Sequence, residues 1–205
     1  MREKVTDALR GAIVSGEMKP GELYSAPDLA ERFGISATPV REAMLDLVKQ
    51  GLVRPVRNRG FQVTEVSDAD LDQITRIREL LEPAAAFEAS AHVAPDVLEA
   101  LRSLAREIVA AAAEGDLIRY VSADHEFHIR LLSAGGNHRL VHIVDDLRSQ
   151  TRLYGLSGLV EAGQLTRSAL EHVQMCDLIQ AGKAGALEDL MRLHIGRVRR
   201  EWAGR

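Results

Sequence analysis

With a single cysteine, Cys176, among 205 residues, the chain cannot form an internal disulfide. It lacks any apolar run approaching the roughly twenty residues that span a bilayer, so no membrane partner is expected. Met1 leads straight into a charged segment without the apolar core of a secretory leader, and a reducing cytoplasm is the expected compartment. Aromatic residues make up only 4%, and neither an internal repeat nor a low-complexity tract is present. Glycines and prolines gather between segments, and beyond Val66 the remaining pattern is almost purely helical. Net charge is small at −4 but unevenly spread: residues through Val66 carry ten basic and nine acidic side chains, the remainder sixteen and twenty-one. The length allows two units, 1–66 and 67–205, each able to bury its own core.

What is present is concentrated first between Ser25 and Val63, in SAPDLAERFGISATPVREAMLDLVKQGLVRPVRNRGFQV. Ser25 can cap a short helix carrying Leu29, Ala30 and Phe33, and Gly34 permits the turn before Ser36 caps the next. Pro39 falls in that helix's first turn, where it is tolerated, and Val40, Ala43, Met44 and Leu47 form an apolar stripe ending at Gly51. The period then shifts toward two, with Leu52-Val53 and Phe61-Gln62-Val63 flanking a turn of Arg57, Asn58, Arg59 and Gly60. With a first helix over about Glu3 to Ser15 behind it, this order predicts a winged helix-turn-helix. Lys49, Arg54, Arg57 and Arg59 cluster between Lys49 and Thr64 without one acidic residue. Cations on a thin hairpin beside an exposed helix suit phosphate binding, because neutralising phosphates releases condensed counterions. The bland alternative is a solvated basic loop. The acidic second half is not expected to touch DNA.

That half reads as six helices: Ser67 to about His92, Pro95 to Ala113, Asp116 to Ser133, Asn137 to Leu156, Leu165 to Ala181 and Ala184 to Trp202, with a break around Gly155 to Gly163. On the helix opening at Asp116, the inward stripe of Leu117, Tyr120, Val121, Leu131 and Leu132 has Asp124 and His128 at its centre, four residues apart. His172 projects among Leu165, Ala169, Cys176 and Ile179, and His194 among Leu187, Leu190, Met191 and Val198. A lone core histidine is usually a hydrogen-bonded structural residue. One carboxylate and three imidazoles directed inward from three helices must instead satisfy one another, and a divalent metal does so. The donor set suits Zn, with Ni, Mn or Fe as alternatives, and leaves open positions for water or an anion. His138 and His142 project outward, His92 sits near a helix end and His125 lies at the stripe's edge. Arg78 and Glu82 share a face with Leu71, Ala85 and Ala89, making Arg78 either a clamp for an organic anion or half of an ordinary helix salt bridge. Arg148 and Arg152 are weaker candidates, Asn137 caps its helix, and Met175, Met191 and Trp202 fill core or interface.

Taken together, DLAERFGISATPVREAMLDLVKQGLV, the arginine-rich wing closing in RGFQV, and the later DHEFH, EHVQ and MRLHI resemble GntR-type transcription regulators of the FadR branch that carry an FCD effector domain. The resemblance covers essentially the whole chain. It implies a homodimer whose paired winged helices bind a short palindromic operator in double-stranded DNA, and an FCD-like bundle binding a small carboxylate effector, often with a metal. By position, Asp124, His128, His172 and His194 match the family's metal ligands. Ser36, Thr38 and Arg41 match DNA-contacting positions around the recognition helix, with Arg59 and Gly60 at the wing tip. Arg78 matches a position where relatives often bind the effector's carboxylate. Ala37 departs from the pattern, because many relatives carry there an arginine that reads guanine through a bidentate contact, and Pro27 replaces a charged residue found in some.

The expected function is therefore a transcriptional repressor controlled by an organic acid bound at a metal. A metal-responsive regulator, or a metal that is only a structural staple, is the alternative. A metal-dependent hydrolase is a remote third reading, since no spare carboxylate stands ready as a general base.

Overall fold

Val5, Leu9, Ala12 and Ile13, spaced three and four apart, give the first helix, α1 (Arg2–Val14), a buried face in the computed structural model, which describes residues 2–14, 16–65, 67–151 and 165–202. Backbone contacts divide the chain into two units, Met1–Val66 and Ser67–Arg205. In the first, α1 packs on α3 (Ala37–Lys49), and α2 (Ala26–Phe33) also packs on α3. The core holds Leu9, Met18, Leu29, Met44 and Leu47, each essentially removed from solvent and contributing about 1.5–3 kcal/mol.

Ser25 caps α2, its Oγ accepting from the Asp28 amide at 3.2 Å. Gly34 ends that helix in the left-handed conformation, φ 64°, so the chain can turn directly into α3. Ser36 holds the position before α3 with extended backbone, but its side chain makes no capping hydrogen bond. The capping bond expected of Ser36 is thus not made. Its hydroxyl is exposed instead.

The expected hairpin is β2 (Val53–Val56) and β3 (Gly60–Val63), paired antiparallel with Val53 opposite Val63 and Val56 opposite Gly60. A third strand, β1 (Leu23–Tyr24), joins it in the order β1-β3-β2. Gly60 is required there, because with φ 122° and the Tyr24 carbonyl alongside, any Cβ would collide with β1. Pro55 lies on the edge strand β2, where a missing amide proton does little harm.

The second unit is helical: α4 (Asp68–Ser90), α5 (Pro95–Glu114), α6 (Leu117–Ser133), α7 (His138–Thr151), α8 (Leu165–Gln180) and α9 (Ala184–Trp202). Caps mark the starts. The Ser67 Oγ accepts from the Asp70 amide at 3.1 Å, Asp116 from Arg119 at 3.1 Å and Asn137 from Leu140 at 3.1 Å. Pro95 opens α5 and left-handed Gly115 closes it. α4 packs along α9, α5 lies against both α6 and α8, and α8 meets α9. α4, α6 and α7 close on one another. Arg152, the expected helix end at Leu156 and the expected break from Gly155 to Gly163 lie outside the described residues, as does the Trp202 side chain.

Candidate metal centre and nucleic-acid interface

Three helices of the second unit deliver the four predicted ligands to one point. Asp124 and His128 lie one turn apart on α6, His172 sits on α8 and His194 on α9, and one donor atom from each falls within 4.8 Å of all the others. The three imidazoles are buried and Asp124 is part-exposed. His172 Nε2 stands 3.2 Å from His128 Nε2 and 3.1 Å from Asp124 Oδ1. Phe127 packs edge-on against His172 with ring centres 4.9 Å apart, forming part of an apolar wall.

The far side of each ring sets its tautomer. The Ser168 carbonyl lies 3.1 Å from His172 Nδ1, and a carbonyl only accepts, so that nitrogen carries the proton and Nε2 presents a lone pair. Glu171 Oε2 lies 2.7 Å from His194 Nδ1 and fixes the second ring in the same sense. Lone pairs and a carboxylate oxygen thus converge at hydrogen-bond distance. Neutral rings so arranged repel unless a cation sits among them, and a transition metal ion satisfies all four donors at once. The residues therefore fit a metal on their own geometry. His128 Nδ1 is buried with no hydrogen bond, 3.8 Å from Glu82 Oε2.

Electrostatics agree with a metal-ready site. Burial, then the charge of Arg148, push His128 well below the usual histidine range, and burial lowers His194 despite the opposing pull of Glu171. Both are neutral ligands near pH 7. Burial alone would raise Asp124, but lowering interactions outweigh it, the Arg148 guanidinium 3.2 Å from Oδ2 among them, and hold it well below the ordinary carboxylate range.

Behind the ligands lies a buried ion network. Glu82 accepts from Arg78 Nε at 2.5 Å and from Arg148 Nη2 at 2.7 Å, and Arg148 Nη1 reaches Asp124 Oδ2 at 3.2 Å. Burial works against charge on Glu82, yet Arg148 and Arg78 outweigh it and lower its pKa. The Arg78–Glu82 salt bridge weighed from the sequence is thus present. Arg148 is central to the network, anchoring the Asp124 carboxylate from α7; its position four residues after buried Val144 is the available signal. Glu171 went unrecognised in the sequence. It is buried, holds His194 with one oxygen and pairs with Arg197 through the other. His125 pairs with Asp145 at 2.8 Å, away from the cluster, and His92, His138 and His142 are exposed.

In the first unit, Ser36, Thr38 and Arg41 lie exposed on or beside α3, and Arg54, Arg57 and Arg59 are exposed on β2 and the wing turn. Ser25, Pro27, Arg41, Asn58, Arg59 and Gly60 line a groove of about 430 Å³ between the helices and the wing. Asn58 turns the hairpin with φ 59°. Among the described residues, Arg41, Arg57 and Arg59 have no acidic partner, so their charge is available to a polyanion. Arg54 is tied to the Gln62 amide at 2.7 and 3.0 Å, and Lys49 pairs with Asp46.

Comparison with known proteins follows the same division. Residues 1–63 match the family described as bacterial regulatory proteins, gntR family, and residues 73–197 match the FCD domain. The chain is 35% identical over 129 residues to an HTH-type transcriptional regulator in the TAR-I ttuE-ttuC' intergenic region of Agrobacterium vitis, covering 62% of this chain and 75% of that one. It is 29% identical over 209 residues to the HTH-type transcriptional regulator LutR of Bacillus subtilis, covering 91% and 94%. Among solved structures, E. coli McbR superposes with a TM-score of 0.72 at 26% identity, covering 96% of this chain and 93% of that one.

Proposed function

This chain belongs to the GntR family of bacterial regulatory proteins and carries an FCD domain, and from that premise we propose that it is a repressor whose grip on operator DNA is set by a small organic acid bound at a metal ion. It is a DNA-binding transcriptional regulator and not an enzyme, as its relatives are. The reading places the protein in the cytoplasm as a homodimer on a palindromic operator. Ser36, Thr38 and Arg41 present α3 to the major groove, while Arg54, Arg57, Arg59 and Gly60 carry the wing along the phosphates.

The observation that carries the proposal is the convergence of Asp124, His128, His172 and His194 with the imidazole protons held on the far side by Ser168 and Glu171. Zinc suits these nitrogen and oxygen donors, with Ni, Mn or Fe as alternatives. A bound ion supplies Lewis acidity toward a carboxylate. Asp124, His128, His172 and His194 hold it, Arg148 keeps Asp124 oriented, and buried Arg78 supplies a guanidinium for the acid. The acid must bind the DNA-competent and released states with different affinity, since equal affinity shifts no equilibrium.

An operator titration of metal-loaded protein, with and without candidate acids, tests the reading. Coupling of ordinary strength changes operator affinity by about 5- to 150-fold. Operator affinity unchanged by every acid that binds at the metal contradicts it. A second reading, in which the metal alone signals or staples, draws on one observation: the ligands come from three helices and would cross-link α6, α8 and α9. Operator binding that tracks free metal without any acid favours sensing. A large fall in melting temperature on chelation with operator affinity retained favours a staple.

A further inference from the structure

Arg199 reaches from α9 to the first turn of α4. Its side chain is 11% exposed, with Nε 2.7 Å from Asp72 Oδ1 and Nη2 3.1 Å from the Asp68 carbonyl and 3.3 Å from Asp68 Oδ1. Asp68 and Asp72 stand four residues apart at the start of α4, so one guanidinium grips both ends of that turn. The helix does not need this grip in order to start. Ser67 caps it, and Asp68 and Asp70 in its first turn already complement the helix dipole. Nor is the grip complete, because Arg199 Nη1 is buried with no hydrogen-bond partner among the described residues. A buried N–H left in that condition is costly. The two carboxylates are themselves largely exposed, so a small movement of the turn that lets one of them take both terminal nitrogens has a charge-assisted bond to gain.

Both ends of this clasp lie at informative places. On α9, Arg199 follows His194 by five residues, about 7.5 Å along the axis. Arg197, between them, bonds the same Glu171 carboxylate that holds His194 Nδ1. On α4, the clasp falls just past the division between the two units at Val66 and Ser67. Thr64 is still tied into the wing's unit, its amide donating to the Leu52 carbonyl at 3.0 Å and its hydroxyl to the Gly51 carbonyl at 2.7 Å. Only residues 65–67 intervene, and three residues extend to about 10 Å at most. A shift at His194 is thus carried by one helix to the turn from which the DNA-binding unit is reached.

We propose that Arg199 is a positioning residue that couples the Asp124, His128, His172 and His194 cluster to the DNA-binding unit. A metal held by the cluster fixes His194 and with it α9, and Arg199 passes that constraint to the first turn of α4. This rests on the reading of the cluster as a metal site.

Hydrogen exchange of the full chain, zinc-free and zinc-loaded, tests it at the amides of residues 71–75, with zinc content measured alongside. In the wild type, zinc should slow exchange there by about fivefold or more, the lower end of ordinary coupling between sites. In Arg199→Gln that slowing should fall below about twofold while the protein still binds one zinc per chain. Asp68→Asn with Asp72→Asn, which removes the charges from the exposed side of the clasp and leaves α9 untouched, should do the same and serves if Arg199→Gln folds poorly. Arg199→Lys, which keeps the charge without the fork, should retain part of the response. Equal slowing in wild type and both variants, with only the melting temperature lowered, makes Arg199 a structural pin and overturns the proposal. So does wild-type protein carrying one zinc per chain whose residues 71–75 exchange as they do without it. Wild-type protein that binds no zinc removes the metal reading itself, and the proposal falls with it.

Discussion

Replacing Glu171 with glutamine tests how the proposed metal centre is built. The carboxylate is buried, with Oε2 2.7 Å from His194 Nδ1 and Oε1 on Arg197. Both contacts need an acceptor. A glutamine offers one acceptor and one donor: if its oxygen faces His194, its amide nitrogen meets the Arg197 guanidinium, and turning it over sets the donor against the Nδ1 proton. Either way one bond is lost and the ring's basicity falls, because a neutral amide no longer supports positive charge on the imidazole. Partners of this kind are worth about 10- to 100-fold in metal affinity, or roughly 1.4–2.8 kcal/mol. Competition with a chromophoric chelator at pH 7 reads the zinc dissociation constant directly. Glu171→Asp, which keeps the charge but shortens the reach, should fall between wild type and Glu171→Gln. Metal affinity unchanged in Glu171→Gln, with only thermal stability reduced, would refute the reasoning and leave Glu171 a structural ion-pair partner.

Metal-free protein should lose stability on acidification. His128 and His194 are depressed below the usual histidine range, so as pH drops below about 6.5 protons bind the unfolded chain first. The stability is complete above that value and is lost as pH falls toward the folded pKa values. The slope is at most about 1.4 kcal/mol per pH unit for each ring, and denaturant melts at pH 7.5 and 5.5 should differ by about 1–3 kcal/mol; identical midpoints contradict the burial argument. Gly60→Ala should destabilise the first unit by at least about 1–3 kcal/mol, since the methyl meets the Tyr24 carbonyl at a positive φ. A calorimetric scan resolving that unit checks it, and a neutral substitution would mean that β1 is not held against β3. Arg57→Ala and Arg59→Ala should each weaken DNA binding about equally on all sequences and lower the salt slope by about one, measured by anisotropy across a salt series. A change confined to one sequence would make that arginine a base reader instead.

The helices were legible because their apolar residues recur at helical spacing and their ends carry Ser25, Ser67, Asp116, Asn137, Gly34 and Gly115. β1 was not, since two residues show no period; only the neighbouring β3 edge makes Leu23-Tyr24 a strand. The four ligands stood out as polar residues on apolar stripes. Their supports were hidden for a physical reason. Glu171 is adjacent to His172 in sequence yet serves His194 from another helix, and Arg148 of α7 is bound to Glu82 of α4 and Asp124 of α6. Those pairings depend on how helices cross, which residue spacing within one helix does not encode. The Ser36 hydroxyl shows the converse, a favourable capping residue whose backbone position is right while the bond itself is not made.

Metal analysis of untagged protein by mass spectrometry, beside Asp124→Ala, His128→Ala, His172→Ala and His194→Ala, bears most directly on the metal-centred reading. The account predicts about one transition ion per wild-type chain and its loss from the variants, as expected where each of the four side chains gives one donor. Wild-type protein that takes up no metal even after reconstitution with zinc, nickel, manganese or iron would contradict it.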